Sequence, residues 1–425
     1  MRARLEGLGR LAPDLARGIH RLNSAIADAL PARIISRFNR LPGADVMLIG
    51  PRTSRVVIDV QHPDRPAQTR IDVVTLRTVT EALVDEVALG LLKGNQAALA
   101  RPHFQEANVH ARRLAEAAEA GEIDLTPEVF CGPPEAPAAV ARLGTVRSRG
   151  AEADHLAFPS GFVPPPLLPA SVTWDDYPAN ASVHVYALEL DVDAPWVVNV
   201  HGFKQGLPED LFLFRSAATR ERFGVNVVHP VLPMSGLRAS AGAPQIPGTD
   251  FGANVVGFAQ AVWDVRRTIR WIRSRSDAPI ILHGVSLGSY VVSMVSGLED
   301  GLAGVIAGLP VSDYPRLMRR HARRMELPDD DLALVDDPAL DRLFAPVSPF
   351  SVVSKVPSDR RYIYAGKIDQ ISSTQQALDL WEHWGSGSIH WFDGGHLGGA
   401  IWDRGVKRYI DAAIGEAVGA VPSAA

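Results

Sequence analysis

The stretch Ile280-Ile-Leu-His-Gly-Val-Ser-Leu-Gly288 decides how the rest of the chain is read. Its first four residues read as an apolar strand, and the run that continues to about Gly297 reads as an apolar helix. Between them Gly284-Val-Ser-Leu-Gly288 fits the pattern G-x-S-x-G. That pattern is weak alone; its setting between strand and helix makes Ser286 the candidate nucleophile. The turn has to be so tight that side chains at the two glycine positions would collide with the neighbouring strand and helix. It lifts the hydroxyl to a helix N-terminus, where N–H groups and the helix dipole favour developing negative charge.

A serine hydroxyl is a poor nucleophile at neutral pH and needs a base, usually a histidine held by a carboxylate. Of thirteen histidines, His396 fits best, in Phe392-Asp-Gly-Gly-His-Leu-Gly-Gly399 just after the last expected strand, where four glycines let the imidazole be presented. His383 falls in a helix, His390 in a strand, and His201 and His283 just before glycine-marked turns, so each has a structural or binding duty instead. For the carboxylate, Asp369 in Ala365-Gly-Lys-Ile-Asp369 follows the penultimate strand. Asp313 in Pro310-Val-Ser-Asp313 follows the strand before that and is the alternative acid, while Asp393 is too close in sequence to His396 to orient it easily. Two N–H donors are needed for an oxyanion. Leu287, next after the nucleophile, supplies one, and Phe203 in Val200-His-Gly-Phe-Lys-Gln-Gly206 supplies the other, Gly202 letting the backbone approach.

From about residue 150 short β-rich runs alternate with amphipathic helices, which argues a largely parallel sheet covered on both faces. Residues 184–190 alternate as an edge strand would, whereas Trp196-Val-Val-Asn-Val200 is nearly continuous apolar, as in a strand buried on both sides. Further strands are expected at 225–229, 302–307, 362–365 and 389–392, and helices at 211–223, 255–273, 374–384 and 400–418, with a charged helical stretch at 314–344. Before residue 150 the chain reads as a helix-rich extension. Residues 1–40 are arginine-rich, broken by Pro13 and Pro31, and read as a solvated helix packed on the main domain, with weak membrane-surface contact through its basic face as the sharper account. Residues 73–92 place Val79, Leu83, Val87 and Leu91 at helical spacing, and a second helix at 102–120 ends at Gly121. The proline-rich 131–140 reads as a linker, giving an extension 1–150 and a catalytic domain 151–425.

Composition sets bounds. A chain of 425 residues suits one large domain plus an appendage, and 46% hydrophobic with 21% charged residues describes an ordinary globular protein. A net charge of -5 gives no reason to expect nucleic acid as a partner. The single cysteine, Cys131, can form neither an internal disulfide nor a thiolate metal site. No stretch reaches the roughly 18 to 20 consecutive apolar residues that span a bilayer. The N-terminus lacks an apolar h-region and a small-residue cleavage site, so a cytoplasmic location is the expectation.

Taken in chain order, His201-Gly-Phe203, Ser286, Asp369 and His396 resemble the α/β-hydrolase superfamily over about residues 155–420. The resemblance implies an eight-stranded, mostly parallel sheet flanked by helices, with the site at the carboxyl ends of the strands and a helical cap inserted at 314–350. It also implies an esterase- or lipase-like serine hydrolase needing no metal or other cofactor. Members with aspartate at the nucleophile position act on halides and epoxides, so Ser286 points to acyl transfer from an ester or thioester, and less to an amide. Phe203, Leu207, Phe212 and Leu287 would form an apolar acyl pocket, which favours a small-molecule ester or acyl lipid. Two rivals are a peptidase of the same fold and a catalytically inactive hydrolase-fold binding protein. The complete set Ser286, Asp369 and His396 speaks against the second. The oligomeric state is left open, and the extension lies outside the resemblance.

Overall fold

A strand buried on both faces calls for apolar residues at nearly every position, and Trp196–Val200 shows how they are used: Trp196, Val198 and Val200 join one core and Val197 the other, with Asn199 the polar exception. A computed structural model describes residues 46–49, 55–58, 66–71, most of 78–89, 97–165, 174–240, 242–324, 328–397 and 403–419. The proposed basic segment 1–40 lies outside them, as do Val79, Leu83, Val87 and Leu91.

A small antiparallel pair, β1 (Val46–Ile49) and β2 (Arg55–Ile58), precedes helical residues between 78 and 89. Then come α1 (Ala97–Glu119), α2 (Pro127–Cys131), β3 (Ala141–Ser148), β4 (Ala151–Pro159), β5 (Ser182–Leu188) and β6 (Trp196–Val200). Next are α3 (Asp210–Leu213), α4 (Ser216–Phe223), β7 (Asn226–Pro230), α5 (Phe251–Arg273), β8 (Ile280–Val285), α6 (Leu287–Leu298) and β9 (Gly304–Gly308). The chain ends with α7 (Tyr314–Arg323), α8 (Asp329–Asp336), α9 (Ala339–Phe344), β10 (Arg361–Gly366), α10 (Thr374–His383), β11 (Ser388–Phe392) and α11 (Arg404–Val418).

The main sheet runs β11-β10-β9-β8-β6-β7-β5-β4-β3. From β11 to β7 all neighbours are parallel; β5, β4 and β3 are joined antiparallel. Side chains alternate between two cores: Ile280 and Leu282 of β8 face the same side as α5 and α6, and Ile281 faces the side that carries Val406, Ala413 and Ile414 of α11. Helices therefore cover both faces, and the architecture is the α/β-hydrolase fold.

Four details differ from the sequence reading. Strands β4 to β11 make the expected eight, and β3 adds a ninth by forming a hairpin with β4. Because that hairpin pairs outside β5, the strand at 182–188 is internal, hydrogen-bonded to β4 and β7, and is no edge. The sheet also starts at Ala141, inside the segment read as an extension. Helix 211–223 is two helices, since Arg215 takes a left-handed conformation (φ 55°) between them.

The extension shares the main core. Phe104 of α1 packs on Phe251 of α5 with ring centroids 5.2 Å apart, and Asn108 Nδ2 donates to the Leu334 carbonyl in α8 at 2.6 Å. Helices α8 and α9, in the stretch expected as a cap, lie against α1. Among the described residues no helix is long and apolar enough to cross a membrane.

Candidate active site

Ser286 closes β8 and caps α6 with φ 57° and ψ -116°, a conformation that L-residues avoid and that a surrounding structure has to enforce. The enforcement is visible. Ser286 N–H donates to the Gly308 carbonyl at 2.8 Å, and Ser289 Oγ donates back to the Ser286 carbonyl while accepting from Val311 N–H at 3.1 Å. A Cβ on Gly284 would overlap the Gly288 carbonyl, and one on Gly288 would overlap the Val200 carbonyl at the end of β6. Both glycines are therefore required by close backbone approach, as the sequence implied.

His396 follows β11 and Asp369 follows β10, so neighbouring parallel strands deliver them to one edge of the sheet. His396 Nε2 lies 2.9 Å from Ser286 Oγ, and its Nδ1 lies 2.7 Å from Asp369 Oδ2. With Nδ1–H donating to the carboxylate, Nε2 is left to accept the hydroxyl proton. Asp369 is itself held: its Oδ1 accepts from Ile371 and Ser372 N–H, both at 2.8 Å, and its Oδ2 accepts from Ser372 Oγ at 2.6 Å.

The electrostatics follow from this geometry. Burial raises the Asp369 pKa, but the His396 charge, the His396 hydrogen bond and the Ser372 donors outweigh it and hold the carboxyl below its ordinary value. Burial disfavours charged His396, yet the Asp369 charge and hydrogen bond, with Asp85 behind them, hold it above its ordinary value. Such opposed displacements in one pair are those of an ionised carboxylate and a basic imidazole.

The loop after β6 lies against the nucleophile. A Cβ on Gly202 would sit 3.2 Å from the Val285 carbonyl oxygen and 3.4 Å from Ser286 Cβ. Gly202 N–H is taken by Gln205 Oε1 at 2.5 Å, which leaves the Phe203 N–H as the next donor along the loop. Leu287 opens α6, where a first-turn N–H has no intrahelical acceptor. His201 is a buried prop: its Nε2 accepts from Leu232 N–H at 3.0 Å, so its Nδ1–H donates to the Gly202 carbonyl at 2.8 Å. Burial, opposed by that Gly202 bond, depresses its pKa to about 4.

The remaining candidates fall elsewhere. Asp313 caps α7 by accepting from Arg316 N–H at 2.9 Å and makes no bond to His396. Asp393 pairs with Lys367 at 2.8 Å. His283 contacts Tyr364 Oη at 3.1 Å, and His383 bonds the Val352 carbonyl at 2.8 Å. Phe212 carries the Arg149 guanidinium 4.7 Å from its ring centre. Among the described residues no group of three or more His, Cys, Asp or Glu could hold a metal ion. Sequence reasoning missed Ser372 and Gln205, and it missed Glu81 and Asp85, whose carboxylates bond the His396 loop. A hint of the last two was present in Gly394 and Gly395, read as freedom for the loop when they make room for those side chains.

No family model matches the chain. It is 36% identical over 362 residues to the uncharacterized protein MT2702 of Mycobacterium tuberculosis (strain CDC 1551 / Oshkosh), covering 83% of this chain and 85% of that protein. It is 39% identical over 292 residues to the uncharacterized protein Rv2627c of Mycobacterium tuberculosis (strain ATCC 25618 / H37Rv), covering 67% and 69%. Among solved structures it is similar to an acetyl xylan esterase from Paenibacillus sp. R4, with 15% identity and a TM-score of 0.48, over 67% of this chain and 92% of that one. It is also similar to acylaminoacyl peptidase of Pyrococcus horikoshii, with 17% identity and a TM-score of 0.40, over 63% and 40%.

Proposed function

We propose that this chain, which belongs to the same family as the Mycobacterium tuberculosis protein MT2702, is a serine hydrolase that cleaves carboxylic esters or thioesters of hydrophobic acyl groups. The observation that carries the proposal is the continuous relay from Ser286 Oγ through His396 to Asp369, with links of 2.9 and 2.7 Å. Both lie within hydrogen-bond reach, the geometric requirement for nucleophile and base.

In the proposed cycle Ser286 Oγ attacks the acyl carbon as its proton passes to His396 Nε2, and Asp369 stabilises the imidazolium. The tetrahedral oxyanion is received by the N–H groups of Phe203 and Leu287. Collapse expels the alcohol or thiol, protonated by His396, and leaves Ser286 acylated. Water, deprotonated by the same imidazole, then releases the acid. Leu287 is buried in the main core; Phe203 and Leu207 are half-buried on the donor loop, and their apolar side chains support a hydrophobic acyl group. Phe212, engaged with Arg149, is not needed for it.

The test is labelling by a fluorophosphonate probe together with hydrolysis of nitrophenyl esters and acyl thioesters of graded chain length. Wild type should be labelled and Ser286→Ala should not, with turnover favouring the longer acyl chains. Absence of labelling in wild type would leave a hydrolase-fold binding protein, turnover confined to the most polar acyl groups would remove the hydrophobic preference, and faster cleavage of peptide amides would favour a peptidase.

A further inference from the structure

Gly394 and Gly395 precede His396 because a neighbour occupies the space a side chain would take. A Cβ on Gly394 would meet Glu81 Oε2 at 2.7 Å, and one on Gly395 would meet Asp85 Oδ2 at 2.9 Å. Both carboxylates stand on the helical residues between 78 and 89, Glu81 5% and Asp85 0% exposed. Asp85 Oδ2 accepts the His396 N–H at 2.8 Å and the Gln370 N–H at 3.1 Å, while its Oδ1 accepts the Leu397 N–H at 2.9 Å. Glu81 Oε2 accepts the Gly395 N–H at 3.0 Å. One residue beyond Asp85, Glu86 pairs with Arg324 just past α7, and that guanidinium also donates to the Gln370 carbonyl at 3.3 Å.

We propose that Asp85 is a positioning residue of the Ser286–His396–Asp369 relay, and that the helix bearing it clamps the acid loop against the base loop; this rests on the serine-hydrolase reading above. A single carboxylate ties the residue after Asp369 to the backbone of the base itself. The side chain is fully buried, so solvent supplies no substitute acceptor for three N–H groups. Asp85 bonds neither the imidazole ring nor Ser286. It acts by fixing where the two loops lie, and hence the 2.7 Å bond on which the tautomer and orientation of His396 depend. Its charge also reaches the ring through space. The groups facing His396 are Asp369, Ser372, Ser286 and Asp85, with Glu81 beyond Gly395; those facing Asp85 are Asp369 and His396. Burial first, then Asp369, push Asp85 up to about 7, against the pull of His396 and the N–H donors.

The experiment compares wild type, Asp85→Asn and Glu81→Ala in the full chain, with ester kinetics per fluorophosphonate-titrated site, thermal melts and pH profiles. Asparagine keeps the size but sets an NH2 group against N–H donors. Asp85→Asn should lower kcat roughly 10- to 100-fold, the scale of a misplaced catalytic group. KM should stay within about twofold, as expected when an interaction specific to the transition state is lost. The ascending limb of kcat/KM should move to lower pH as the ring loses a neighbouring negative charge. A kcat within about twofold of wild type at an unmoved limb would overturn the clamp. Should Asp85→Asn fail to fold, Glu81→Ala decides: a fall in kcat at wild-type melting temperature supports the clamp, and an unmoved kcat overturns it. Failure of wild type to label would instead overturn the underlying hydrolase reading.

Discussion

In the proposed cycle His396 has to be neutral to accept the Ser286 proton, and its surroundings favour the cation. The consequence for rate has a definite sign. Below its pKa the imidazolium cannot act as base, so kcat/KM for an ester rises with pH through a value above the ordinary 6.5. Removing the Asp369 charge takes away the main support of the cation. Asp369→Asn is therefore expected to shift that limb downward while kcat falls by roughly 10³- to 10⁴-fold, since an amide cannot hold the ring in the required tautomer. Profiles of kcat/KM from pH 5 to 9 for the two proteins check both statements; a wild-type limb well below 6.5, or an unshifted limb in the variant, would refute them. Ser286, His396 and Asp369, which the structure brings into contact, were legible as candidates because each follows an apolar strand, and glycines flank Ser286 and precede His396, a local signal. Ser372, three residues after Asp369, offered no such signal: its hydroxyl matters only because the loop folds it back onto the carboxylate.

At the scale of elements, the turn between β8 and α6 binds the strand order to the chemistry. Gly288 presses on the Val200 carbonyl at the end of β6, whose next residues form the loop proposed to bear Phe203 as donor. A methyl group there has no room and must push apart the two loops that would face the substrate. Gly288→Ala should cost about 1 to 3 kcal/mol or more of stability, the usual range for an overpacked core. It should lose fluorophosphonate labelling even where it remains folded. A variant that melts and labels like wild type would show that the elbow is looser than this contact implies. The strands around it were readable because burial on both faces leaves nearly continuous apolar runs, as in Trp196–Val200 and Gly304–Gly308. Strand β3 was not. It is the outer strand, exposed or half-exposed along nearly its whole length with Arg142, Thr145 and Arg147 in it, and carries no apolar period to read. Missing it also made β5 look like an edge. The break at Arg215 escaped notice because neither glycine nor proline marks it.

Over the whole molecule, what no local pattern could disclose is how the first part of the chain joins the last. Asp85 and His396 are 311 positions apart and share a hydrogen bond; the periodicity of 73–92 predicts a helix, but not what its polar side touches. A second long-range tie lies at the far end of α6. Glu299, just past Leu298, accepts from Arg266 Nε at 2.7 Å and Arg273 at 2.9 Å, both of α5, and Arg266 donates onward to the Cys131 carbonyl at 3.0 Å. The pair is buried, the Arg266 side chain 4% and that of Glu299 0% exposed. Taking the charge from one member leaves the other desolvated and uncompensated, at a cost of about 3 to 5 kcal/mol. The twelve residues of α6 put this site about 18 Å from Ser286 along the helix. Glu299→Gln should accordingly lower the urea midpoint and melting temperature, yet leave kcat per fluorophosphonate-labelled site and the pH limb of His396 unchanged. That separates it from Asp85→Asn, for which the per-site rate is the quantity expected to fall. An unaltered urea midpoint in Glu299→Gln would mean that the remaining amide oxygen, with the Cys131 and Leu298 carbonyls, already satisfies the buried Arg266 guanidinium.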